Sequence, residues 1–138
     1  MGFTSLIVQT LLIREFLISF YGNELTIGII LANWIILEAL GSILLSRASL
    51  KSSQPQLIYA LLQTGIALYL PLSIFLIRTV KNILGLTLGE GIGILPILAS
   101  SFFILAPLSL FDGAQFPFGC RILSDANKKP LESTGRVY

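Results

Sequence analysis

Between Leu57 and Ile77, and again between Gly91 and Phe111, the chain runs without a single Asp, Glu, Lys or Arg. At 1.5 Å rise per residue, a helix over either stretch makes an apolar rod of about 30 Å, the thickness of a bilayer's hydrocarbon core. A helix at a water-facing surface is apolar along one stripe only, whereas these runs are apolar on every side. Two earlier runs, residues 3–21 and 25–46, are of similar length but carry charge inside: Arg14 and Glu15 in the first, Glu38 in the second. With 54% apolar and 12% charged residues, 138 residues leave room for four or five such rods and little else.

The expected fold is therefore all-α: a polytopic integral membrane protein with about four transmembrane helices in two antiparallel hairpins. The spans are expected at about 3–21, 25–46, 57–77 and 92–111, the last continuing to 121, with residues 122–138 forming a cytoplasmic loop. Gly22 and Asn23 supply turn chemistry between the first two spans, so tight a connection that the pair is expected to pack as a hairpin. Pro71 is expected to bend the third span, and Pro96 and Pro107 to break or kink the fourth twice. Arg47, Lys51, Arg121, Lys128, Lys129 and Arg136 gather on one side of this arrangement. The other holds only Arg78 and Lys81, opposed by Glu24 and Glu90. Positively charged loops stay in the cytoplasm, which puts both termini there.

Several functions are excluded or unsupported. A net charge of +2 with scattered Lys and Arg lacks the dense basic stripe of a nucleic-acid binder. Cys120 stands alone in a chain without His, which leaves no ordinary zinc set or Cys/His nucleophile and makes it a small apolar residue. "GEGIG" at 89–93 has neither a preceding strand nor the Lys of a phosphate loop. No catalytic motif, metal site or cofactor site is expected.

What remains are polar groups where oil is expected. A charge at the middle of a spanning helix costs about 2.5–3.5 kcal/mol on insertion scales, so each asks for a partner. Arg14 and Glu15 are about 100° apart on their helix, so each either meets a neighbouring helix or lies near an interface and snorkels to headgroups. Glu38 lies near the centre of its span, and Trp34, Glu38 and Gly41 share one face at i, i+4 and i+7, a face suited to a helix partner. Glu38 is either protonated or paired with Arg14 across the short turn, despite an axial offset of about 9 Å, and so holds the hairpin together, or it lines a polar cavity for a cationic substrate or proton. Asp112, close to Gln115, is expected at a helix end near the cytoplasm. The candidate intramembrane polar site comprises Gln9, Arg14, Glu15, Trp34, Glu38, Asp112 and Gln115.

In order along the chain, "GFTSLIVQTLLIREF", "YGNELTIGIILANWIILEALGS", Gly89 with Glu90, "DGAQFPFG" and "GRVY" resemble the membrane-embedded N-terminal region of bacterial spermidine synthase-like proteins. The strongest elements are the G-x-x-x-L-x-x-Q-x-x-x-x-R-E pattern from Gly2 to Glu15 and G-x-x-F-P from Gly113 to Pro117. The resemblance implies a multi-helix domain of the bacterial inner membrane, similar to half of a major-facilitator transporter and followed by a cytosolic aminopropyltransferase-like domain. It also implies that "GRVY" leads into a further span and that this chain is a fragment. Neither the loop that holds decarboxylated S-adenosylmethionine in the soluble synthases nor their polyamine-binding acids has a counterpart here. The expected function is a non-catalytic membrane domain that anchors the transferase-like domain and handles a cationic amine. The alternative is half of a transporter-like protein with an unrelated substrate.

Overall fold

A computed structural model describes residues 2–20, 24–83 and 93–127, the side chains of 81–83 and 125–127 excepted. Among them run four helices: α1 (Gly2–Phe20), α2 (Glu24–Lys51), α3 (Pro55–Ile83) and α4 (Ile94–Asn127). All four are long and apolar enough to cross a membrane. The turn expected at Gly22 and Asn23, the loop at Gly89 and Glu90, and the tail with Lys128, Lys129 and Arg136 lie outside the described residues.

Every helix but α1 is longer than the apolar run that announced it. α2 continues through Arg47 to Lys51, and only residues 52–54 link it to α3. There the Ser52 hydroxyl accepts the Gln54 N–H (3.3 Å), and the Gln54 carbonyl accepts the Ile58 N–H (3.3 Å). Pro55 follows as the first helical residue, where its missing N–H leaves nothing unpaired. α4 likewise takes in residues 122–127, expected as loop.

The expected breaks in α4 do not occur. Pro96 sits in the first turn, where backbone N–H groups have no intrahelical acceptor anyway, and the helix is continuous through Pro107 and Pro117 as α3 is through Pro71. A single missing backbone bond is tolerated in a helix that neighbours hold on both sides.

Partner choice also departs from expectation. α1 touches α2 only sparsely, so the first pair is not a packed hairpin, and the most extensive contact in the chain joins α2 to α4. The register of that contact advances together on both helices, Asn33 against Ser101 and Gly41 against Leu110, so α2 and α4 run in the same direction. α3 packs on α4 antiparallel, with Tyr69 donating to the Ile104 carbonyl (3.4 Å) and Gly65 facing Phe111. α1 leans mainly on α3. A short connection fixes only where two helix ends meet. Side-chain shape decides which neighbours lie flush along their length.

The α2–α4 crossing depends on two glycines. A Cβ on Gly113 would stand 2.9 Å from Glu38 Cα and press on the Glu38 carbonyl oxygen. One on Gly41 would stand 2.8 Å from Leu110 Cα. Both obstacles are backbone, which cannot rotate away. Small residues that let backbones meet are the usual means of holding helices together in lipid, where hydrophobic burial between helices supplies no driving force.

Polarity is distributed in the reverse of a water-soluble bundle. Leu6, Ile35, Ile43, Leu68, Phe75 and Phe103 are exposed, whereas Asn33, Ser73, Ser101, Ser109, Asp112 and Gln115 are buried. The apolar interior runs along one face of α1, Val8, Leu12, Phe16 and Phe20 at helical spacing, and meets Ile104, Leu105 and Leu108 of α4 in one cluster. An exposed apolar surface this continuous is what lipid contact requires.

Gly113→Ala is expected to lower stability in detergent micelles by about 1–3 kcal/mol, the usual cost of overpacking. Gly28→Ala, with nothing within 4 Å of its added methyl, is expected to be neutral or to stabilise by about 0.5–1 kcal/mol through helix propensity. Thermal unfolding of the two variants side by side measures the difference, and equal midpoints would remove the close approach as a determinant of the fold.

Candidate functional site

The α2–α4 crossing puts two acidic residues at the same level. Gly113 rests on the backbone of Glu38, so Asp112, the preceding residue, lies beside that turn of α2. Glu38 is half-buried, one turn after the buried Trp34 on α2. Asp112 is 6% exposed and accepts a hydrogen bond from the Ser5 hydroxyl of α1.

Beside these groups is a narrow crevice lined by Thr4, Ser5, Val8, Trp34, Gln63, Ile66, Leu108 and Asp112. It has room for about one water molecule. All four helices contribute to its wall. The Tyr59 phenol, one turn before Gln63 on α3, is also close enough to Asp112 to feel its charge. Toward the next turn of α4 in each direction lie Ser109 and Gln115, 0% and 1% exposed, whose Oγ and Nε2 have no hydrogen-bond partner. Polar atoms buried without partners are uncommon and mark places that a ligand or water completes.

Arg14, the counter-charge expected for Glu38, is exposed on α1, and the groups gathered around Glu38 are Trp34 and Asp112. The axial offset read from the sequence is the reason: Arg14 lies near the end of α1 that leads into α2, well away from the level of Glu38. Arg14's neighbour Glu15 finds its partner on α3, where the Arg78 guanidinium grips it with Nε on Oε2 (2.8 Å) and Nη2 on Oε1 (3.0 Å). Arg78, expected to close the third span, therefore lies inside α3 and ties it to α1. Gln9 is half-buried one turn after Ser5.

Of the residues proposed from sequence, the structure thus gathers Trp34, Glu38 and Asp112, places Gln115 one turn away on α4, and sends Arg14 and Glu15 to another level. Ser5, Tyr59 and Gln63 were not foreseen because hydroxyl and amide side chains cost little in an apolar run and raise no alarm there. Asn33 was also missed. Its amide donates to the Ser101 hydroxyl (2.8 Å) and the Leu98 carbonyl (3.1 Å), a polar clasp between α2 and α4. An Asn in the middle of "IILANWIIL" was the available signal. Among the described residues no group of three or more His, Cys, Asp or Glu is placed to hold a metal ion.

No protein-family model, curated protein or solved structure matches the chain. Its function has to be argued from the arrangement just described.

A double-mutant cycle with Asn33→Val and Ser101→Ala is expected to show a coupling of about 0.6 kcal/mol, at most about 1.7, the range measured for interhelical hydrogen bonds in lipid. Denaturant titration in bicelles reads it, and strictly additive losses would mean that the clasp does not form.

Proposed function

We propose that the chain is a four-span membrane unit whose acidic crevice, the size of one water molecule, takes a terminal ammonium group of a small organic amine. The observation that carries this is a crevice lined by Asp112, Trp34, Ser5 and Gln63, with Glu38 at the same level of the α2–α4 crossing. Two carboxyl groups inside apolar surroundings favour a cation between them, because a positive charge lowers the cost of keeping both out of water. Trp34 adds an aromatic ring, which attracts ammonium groups, and the Ser5 hydroxyl and Gln63 carbonyl add acceptors for their N–H bonds. An ammonium group satisfies such a mixture better than a bare metal ion, which asks for more oxygens in a closed shell.

The resemblance of "GFTSLIVQTLLIREF" and "DGAQFPFG" to spermidine synthase-like membrane proteins supports the same substrate class. On this reading the bundle lies in a bacterial inner membrane with both termini in the cytoplasm. It anchors an aminopropyltransferase-like domain and presents or passes the amine, without chemistry of its own. Half of a transporter for another cation would use the same crevice.

Purified in detergent, the chain is expected to bind radiolabelled putrescine or spermidine. Glu38→Gln and Asp112→Asn should each weaken binding at least about ten-fold, in line with about 1.5–3 kcal/mol for a hydrogen bond to a charged group. Arg14→Gln should leave it unchanged. Equal affinity in all variants would reduce Glu38 and Asp112 to structural residues.

A further inference from the structure

The polar residues at the other level of the bundle do not balance. Glu15 is ion-paired with Arg78 on α3, and Arg14 precedes it on its own helix. One carboxylate against two guanidinium groups leaves one positive charge. Neither arginine is enclosed by protein: Arg14 is exposed, and the Arg78 side chain is 66% exposed while Glu15 is 14%. Arg78 spends Nε and Nη2 on Glu15, which leaves the Nη1 edge of its fork facing away from the ion pair.

Depth matters here. α1 has nineteen residues, a length of about 28 Å, close to the hydrocarbon thickness, so Phe20 lies near its boundary. Arg14 is six residues earlier, about 9 Å inside that boundary, and Arg78 is five residues before the end of α3. Both side chains are long enough to snorkel to the headgroup layer, where the abundant anion is the lipid phosphate. A guanidinium fork suits phosphate oxygens in shape as well as charge.

We infer that Arg78, fixed by its ion pair with Glu15, and Arg14, the residue before Glu15 on α1, form a binding site for the headgroup phosphodiester of an anionic phospholipid. Its single negative charge brings the cluster to neutrality. The site rests on the reading that the four helices span a bilayer, and it is separate from the acidic crevice. Glu15 sets the Arg78 fork at a fixed angle, and Arg14 supplies the second point of attachment.

The chain is reconstituted in vesicles, recovered by flotation, then extracted in mild detergent and examined by native mass spectrometry with equimolar phosphatidylglycerol and phosphatidylcholine. Wild type should retain phosphatidylglycerol over phosphatidylcholine about five-fold, the size expected per basic residue near an anionic surface. Arg14→Gln should abolish the preference, Arg14→Lys should restore part of it, and Arg47→Gln, at the far end of α2, should leave it intact. Failure to float with vesicles would overturn the membrane reading and this site with it. Flotation with equal retention of the two lipids, or equal loss in Arg14→Gln and Arg47→Gln, would overturn this site alone. Competition by the deacylated headgroup as strong as by the intact lipid would assign the site to a free phosphate ester instead.

Discussion

The bundle depends on one close approach. Where α2 meets α4, Gly113 lies against the backbone of Glu38, and Gly41 against that of Leu110, with no side chain between. Helices in lipid gain nothing from hiding apolar surface from each other, so association falls to contact area and to hydrogen bonds. Two glycines at the crossing provide the first, and the Asn33 clasp on Ser101, about two turns away, provides the second. Once α2 and α4 are joined in this way, α4 is central: α3 packs on its other flank and α1 takes what room is left beside α3. The position of the acidic pair follows from the same contact, because Glu38 and the residue before Gly113 cannot be far apart.

α1 is attached differently from the rest. Its packing on α2 and α4 is sparse, and polar contacts secure it near both ends, Ser5 to Asp112 and Glu15 to Arg78. Between them the apolar row from Val8 to Phe20 fills the interior, with the Phe16 and Phe20 rings tilted against each other at 5.4 Å. A helix held in this manner keeps its register through directional bonds rather than through area. It also forms one wall of the crevice, so the hydroxyl of Ser5 belongs both to the fold and to the polar site.

The ionisable groups separate by level. Glu38 and Asp112 share the level near the start of α1, where Ser5 bonds Asp112, while the arginines of α1 and α3 stand toward the other end with their tips outside the protein. Each arrangement answers the cost of charge in oil in its own way. The acids are shielded by protein, and Asp112 also by the hydrogen bond from Ser5, whereas the arginines reach outward along their own length.

Hydropathy along the chain determined the number of helices, their approximate centres and the all-α class, because the need to satisfy every backbone group inside lipid acts on each segment separately. Glu38 was legible as out of place for the same local reason, whereas Asp112, expected at a helix end, lies buried in the interior of α4 because that helix runs on to Asn127. The helix pairing was not legible: a tight connection at Gly22 and Asn23 suggested an α1–α2 hairpin, and only the three-dimensional fit at Gly41 and Gly113 chose α4 as the partner of α2. Nor did linear order reveal that Glu15 would take Arg78 instead of leaving Arg14 to serve Glu38, since distance along a helix axis says nothing about which faces turn toward each other. Length and apolarity are properties of a segment, whereas a partner is a property of two surfaces, and those surfaces exist only once the helices have packed.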